Sequence, residues 1–285
     1  MRHPDRVTPR TAAVLALALL VAGCARADAG NAGPADDDLP ADGDALVLQV
    51  AVAGGFRGLP EQAGRLPVVS VHADGRAFST GPVAAVFPGP AWPDVLVTRL
   101  DRAQLRDLLD RAVAAGAAER GDLGRPGLAD ATTTRFTVWT GSRAAVREVY
   151  GLTEGVGDPQ LTGDQQAARQ RLLDLLGDLP AGEEPYEPAA VAVLAVPPGG
   201  DPRPEAGPSG AGQPAVPWPG PALPGEPLAG GAGCTLVTGD DVRVVTAAAR
   251  QADALTPWTA ADGTPWSLAF RPLLPHETGC ADLAR

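Results

Sequence analysis

Short β-rich runs separated by turn residues, and two stretches in which leucine recurs every three or four positions, set the pattern of the chain between residues 45 and 196. Residues 45–52 and 66–72 read as strands, and Asp74-Gly75 ahead of Phe78 reads as a hairpin turn, because glycine supplies the positive φ of a tight turn. Residues 95–100 predict a further strand. Asp101 then opens a helix with Gln104 three residues on, a capping-box spacing, and Leu105, Leu108, Leu109 and Ala112 form its apolar stripe. Residues 134–140 and 145–150 predict a hairpin around Gly141-Ser142. A second helix starts at Thr162, capped by Gln165, with Ala168, Leu172, Leu175, Leu176 and Leu179 on its buried face and Pro180 ending it. Residues 189–196 are apolar throughout, as in a central strand covered on both faces.

Between residues 197 and 231 the pattern is lost: 11 Pro and 9 Gly occupy 35 positions, with Trp218 the only aromatic, and such a stretch reads as a linker. Beyond it, residues 234–237 predict a strand, Thr238 and Asp241 start a helix reaching about Ala252, and two short runs flank Asp262-Gly263 as a hairpin. The order strand, helix, hairpin matches that of residues 95–150. LeuValThr recurs at 96–98 and 236–238, and the same offset sets Asp101 on Asp241 and Ala112 on Ala252, which raises a duplicated βαββ unit as an expectation. The expected class is therefore α+β. A mostly antiparallel sheet with two packing helices fills residues 45–196, the Pro/Gly linker 197–231, and a small βαββ segment 232–285.

The N-terminus has a different pattern. Arg2, Arg6 and Arg10 precede the apolar run 12–22, followed by Gly23-Cys24, the layout of a secretory signal. Eleven apolar residues fall short of the roughly 20 that a membrane-spanning helix needs. Val21-Ala22-Gly23-Cys24 matches a lipobox, so residues 1–23 read as a signal peptide cleaved before a lipidated Cys24. Two or more acyl chains there, each buried methylene contributing about 0.8 kcal/mol, anchor a protein stably. Residues 24–44 carry six Asp (28, 36, 37, 38, 42 and 44) among Ala, Gly and Pro. EF-hand ligand spacing is missing, so this stretch reads as a solvated acidic tether rather than a calcium site.

Composition narrows the chemistry. Every one of the 23 basic residues is Arg, which excludes P-loop, Schiff-base and SerxxLys mechanisms that need a lysine. Net charge is −11, and removal of residues 1–23 leaves 20 Arg against 33 acids, or −13, the wrong sign for a nucleic-acid partner. Only His72 and His276 remain in the mature chain. His72, at a strand end beside a turn, reads as exposed or locally hydrogen-bonded, and neither histidine has the company of a triad or metal set. Ser209 lacks a nucleophile elbow. No catalytic, metal or cofactor residues are therefore assigned. Trp258 and Trp266 each follow a Thr-Pro pair around the C-terminal hairpin and could stack a glycan or aromatic partner, against the simpler reading that they pack a small core. With Cys24 lipidated, Cys234 and Cys280 are left as two thiols in an exported chain, and one disulfide is the expected outcome. Closing the 45 residues between them contributes about 3 to 4 kcal/mol on the chain-entropy argument.

Gly54-Gly55-Phe56, LeuProValValSerValHisAlaAspGlyArg at 66–76, PheProGlyProAlaTrpPro at 87–93, AspAlaThrThrThrArgPheThrVal at 130–138 and PheArgProLeuLeuProHisGluThrGlyCys at 270–280 carry a resemblance. The chain resembles a family of uncharacterised actinobacterial lipoproteins over nearly all of its mature length outside tether and linker. That resemblance implies a lipid anchor and the C-terminal cysteine pair, and no activity. The sequence thus leads to an expectation of a lipid-anchored protein on the outer face of the cell membrane, noncatalytic, binding an envelope protein or glycan. An envelope hydrolase using a carboxylate pair is the alternative.

Overall fold

The structure is a computed structural model that describes residues 39–55, 59–82, 85–197 and 214–284. The signal peptide, Cys24, most of the acidic tether and residues 198–213, Ser209 among them, lie outside the described residues. All described residues belong to one compact unit, 34–285. The class is α+β, as the residue pattern predicts.

Seven strands make the first sheet: β1 (Leu46–Gly54), β2 (Val69–His72), β3 (Arg76–Thr80), β4 (Val95–Arg99), β5 (Thr132–Trp139), β6 (Ala144–Tyr150) and the two-residue β7 (Glu184–Pro185). They lie in the order β6-β5-β1-β2-β3-β4-β7 with every neighbouring pair antiparallel. Gly75 closes the β2–β3 turn at φ +86°, and a Cβ there would stand 2.2 Å from the Leu100 carbonyl oxygen, so only glycine fits. A short helix α1 (Leu59–Ala63) follows β1. Helices α2 (Arg102–Ala114) and α3 (Gly163–Gly177) both carry the capping boxes expected of them, with Asp101 and Thr162 as reciprocal partners of Gln104 and Gln165. Their leucines 105, 108, 109, 172 and 175 meet Leu48, Val50, Val69, Val71, Phe136 and Val138 from one face of the sheet. Each such side chain stabilises by about 1.5–3 kcal/mol on burial.

The second sheet has the order β10-β11-β8-β13-β12-β9, built from β8 (Ala190–Val196), β9 (Val216–Pro217), β10 (Glu226–Pro227), β11 (Gly233–Thr238), β12 (Pro257–Thr259) and β13 (Pro265–Pro272). Residues 191–195 of β8 are fully buried, since both faces are covered. Val191, Val193 and Ala195 meet helix α4 (Asp240–Arg250) through Val245 and Ala249, together with Trp218, Trp258 and Phe270. Ala192 and Leu194 face the opposite way, onto Leu273 and the Cys234–Cys280 disulfide. That bridge forms as expected, with Cα atoms 6.1 Å apart.

Four expectations change here. β8 is central, but it pairs with β11 and β13 and not with the first sheet, so the sheets do not divide after residue 196. A continuously apolar strand has no preferred face to identify its sheet. The linker reading fails for residues 214–231: Trp218 is 9% exposed, its ring 5.9 Å from Trp258, and its indole N–H donates to the Pro221 carbonyl at 2.6 Å. One buried indole anchors a segment whose composition alone suggests none. At the end of the tether, Leu39 packs on the first core and Asp44 binds Arg76, which also donates to Asp74 at 2.6 Å. The proposed repeat ends on strand order. Three strands separate β4 from β5, whereas one separates β11 from β13, and the hairpin enters by its first strand in one sheet and by its second in the other.

Candidate functional site

Strand alternation sends Gln49, Ser70, His72, Phe78, Thr133, Arg135 and Thr137 to the face of the first sheet opposite α2 and α3. The end of the chain covers part of that face. After β13, Leu274 packs with Phe78 and Val95, and the Tyr186 hydroxyl donates to the Leu273 carbonyl at 2.9 Å. This seats the turn of residues 273–280 on β2 and β3.

The two histidines, 204 residues apart, meet beneath that turn. His72 Nε2 lies 2.9 Å from His276 Nδ1, and the rings are 5.1 Å apart between centroids. His72 is 0% exposed and takes the edge of Phe78 at 5.1 Å, so the expectation of an exposed or locally bonded imidazole is corrected. A turn-flanking position says nothing about a partner arriving from the far end of the chain. Gln49 spans the pair's outer side, its amide nitrogen 3.0 Å from Ser70 Oγ and 3.4 Å from His276 Nε2. Two imidazoles joined by one N–H···N bond are one donor and one acceptor, and burial favours the neutral form of both rings. Burial lowers the His72 pKa from 6.5 to about 4, helped by the charges of His276 and Arg76 and opposed by the Arg76 backbone and Asp74. Burial lowers that of His276 as well, with Arg271 adding to the effect and Glu277 and Asp282 opposing it.

Beside the histidines lies a buried ion pair. Arg271 Nη2 donates to Glu277 Oε1 at 2.7 Å, and Glu277 Oε2 accepts the Leu274 backbone N–H at 2.7 Å. Their side chains are only 2% and 8% exposed. Arg271 also donates to the Pro272 carbonyl. Burial pushes the guanidinium down in pKa, and the carboxylate of Glu277 opposes that shift. Removing either member would strand a charge away from water.

Where the turn stops, the sheet face is left open as a groove of about 620 Å³, with Gln49, Ala51, Thr133, Arg135 and Thr137 along the sheet and His276 at the wall. Among the described residues three carboxylates reach it, and each is already engaged. Glu277 is held as described, Glu148 faces Arg135 at 3.8 Å, and Asp282 accepts from the backbone N–H and hydroxyl of Thr278 at 2.7 and 2.9 Å. A glycosidase-type pair needs two acids turned toward one substrate bond, whereas each of these is engaged by a protein partner. Ser70 is fully buried and bonded to Gln49, which leaves it no path to a substrate. Among the described residues no group of three or more His, Cys, Asp or Glu side chains is arranged to hold a metal.

Trp258 and Trp266 stand directly opposite each other on β12 and β13, but Trp258 is 1% exposed within the Trp218 and Phe270 cluster, and Trp266 is half-buried against the same core. They do not offer two indoles to a ligand, so their place as a binding pair is corrected to core packing. A pair of Trp at the ends of a short hairpin has the same spacing whichever face is covered. Residue pattern did not reveal the groove, because its floor combines β1 with β5 and its wall is a turn that lies 227 residues beyond Gln49. No helix among the described residues is long and apolar enough to cross a membrane. Comparison with known protein families, with curated proteins and with solved structures finds no match for this chain.

Proposed function

We propose that the protein is a lipid-anchored, noncatalytic binding module on the outer face of the cell membrane, and that the groove beside His276 receives an envelope glycan or protein segment. The observation that carries this reading is the polar lining of the groove. Gln49, Thr133 and Thr137 present amide and hydroxyl groups along an open sheet face, while the acids that reach it are occupied as ion-pair or hydrogen-bond partners. Such a lining matches ligands rich in hydroxyl and amide groups, which exchange water for protein hydrogen bonds one for one. The lipobox at 21–24 and the resemblance to actinobacterial lipoproteins support the location.

Two measurements test it. Cys24→Ala should move the protein out of the membrane fraction; a variant that still sediments with membranes defeats the anchor. Ala51→Arg places a long side chain on the groove floor, and binding to purified cell-wall fragments should fall at least tenfold with the melting temperature unchanged. Equal binding by both proteins would defeat the groove.

A further inference from the structure

We propose that the His72–His276 pair is an acid-sensitive latch: neutral, it holds the turn of residues 273–280, and with it one wall of the groove, on the first sheet; protonated, it releases that wall. The bearing on binding rests on the groove being the ligand site, whereas the latch itself does not. A single N–H···N bond of 2.9 Å accommodates one proton between the rings, and the next proton must enter at an outer nitrogen: His72 Nδ1, buried without a hydrogen-bond partner, or His276 Nε2, which faces the Gln49 amide nitrogen at 3.4 Å. The resulting imidazolium is cut off from water, since His72 is fully buried under Phe78, and the Arg76 backbone and Asp74 offset that cost only in part.

Among the described residues each facing carboxylate is committed to a partner. From the β2–β3 turn and β3 come Asp74 and Arg76, bonded to each other, with Asp44 on the same guanidinium. From β13 and the turn come Arg271 and Glu277, again bonded to each other, and the last 3-10 turn brings Asp282, bonded to Thr278. Tyr186, ahead of β8, is held by Leu273. Gln49 and Ser70 complete the surroundings and are neutral. Burial lowers the proton affinity of both rings in the closed state, so acid favours the state in which they are free. The Cys280–Cys234 bridge keeps the far end of the turn on β11, so release swings the wall out without detaching it.

Amide hydrogen exchange on the full chain reads this directly. Within the closed turn the Leu274 amide donates to the Glu277 carboxylate and the Glu277 amide to the Leu274 carbonyl. After correction for intrinsic rates, opening at these amides should rise about a hundredfold from pH 7 to pH 4, as expected for His72 alone moving between 6.5 and about 4. Amides of α2 should not follow. Substituting both histidines by Gln, which can bond without titrating, should remove most of the pH dependence. Unchanged exchange in the wild type, an equal rise in α2, or full pH dependence in the doubly substituted chain would each overturn the latch. Should that chain not fold, imidazole titration of the wild type by NMR decides: both rings titrating well below 6.5 supports the latch, and either titrating at 6.5 or above overturns it. A turn that opens in acid while the groove binds no cell-wall fragment would refute the binding site and leave the latch standing.

Discussion

Replacing Glu277 with Ala removes one half of an ion pair whose members are 2% and 8% exposed, and leaves the Arg271 guanidinium in the interior. The remaining acceptor seen for it is the Pro272 carbonyl, which cannot neutralise a charge. The Leu274 N–H loses its 2.7 Å acceptor in the same step. Breaking a buried pair by removing one partner costs about 3–5 kcal/mol, and an orphaned buried amide about 1–3 kcal/mol; the two overlap where relaxation admits water. The expected loss is about 4 kcal/mol. Urea unfolding followed by tryptophan fluorescence is a suitable assay, because Trp218 and Trp258 lie in the adjoining core and report the same cooperative transition. The midpoint should fall with little change in slope. Arg271→Met combined with Glu277→Gln removes both charges and keeps an acceptor for Leu274, and should recover stability to within about 1–2 kcal/mol of the wild type. A Glu277→Ala loss below about 1 kcal/mol, or a double variant as unstable as the single one, would refute the reasoning that a stranded charge is the source of the cost.

Further consequences are open to test. Trp218→Ala should destabilise by about 3–5 kcal/mol in a thermal or urea melt, because the indole fills the second core; an effect below about 1 kcal/mol would return residues 214–231 to the status of a linker. Stability should be level above pH 6.5 and fall as the pH drops through about 4, where His72 alone accounts for about 3 kcal/mol: its native pKa is depressed, so the unfolded chain binds the proton first. A urea midpoint independent of pH between 7 and 4 would contradict this. Reduction of the Cys234–Cys280 bridge, which spans 46 positions, should lower stability by about 4 kcal/mol, visible as a lower melting temperature in reductant than without it.

Local signals were legible in the sequence wherever the physics is local. Both capping boxes, the Asp74-Gly75 turn, the leucine stripe of α2 and the 144–150 hairpin strand depend on residues a few positions apart, and all are present. On α3 the reading was less complete. Arg169 is 3% exposed and donates to the carbonyls of Leu123, Tyr150 and Gly151, although a charged residue at that position reads as solvent-facing. What the sequence could not deliver is non-local: which sheet receives β8, where Trp218 docks, and that His72 meets His276. Each depends on the free energy of burying surfaces brought together by the whole chain, which no spacing rule encodes. The candidate groove belongs to this second class, since β1, β5 and the turn after β13 each supply only part of it.

The central claim is that the groove beside His276 holds an envelope ligand. A photo-crosslinking residue at position 137, on the groove floor, should yield a discrete adduct in intact cells, identifiable by mass spectrometry, that is lost when Ala51→Arg is added. The same residue at position 156, exposed and outside the groove lining, should not yield that adduct. An identical pattern from both positions, or an adduct from position 137 that survives Ala51→Arg, would contradict the account.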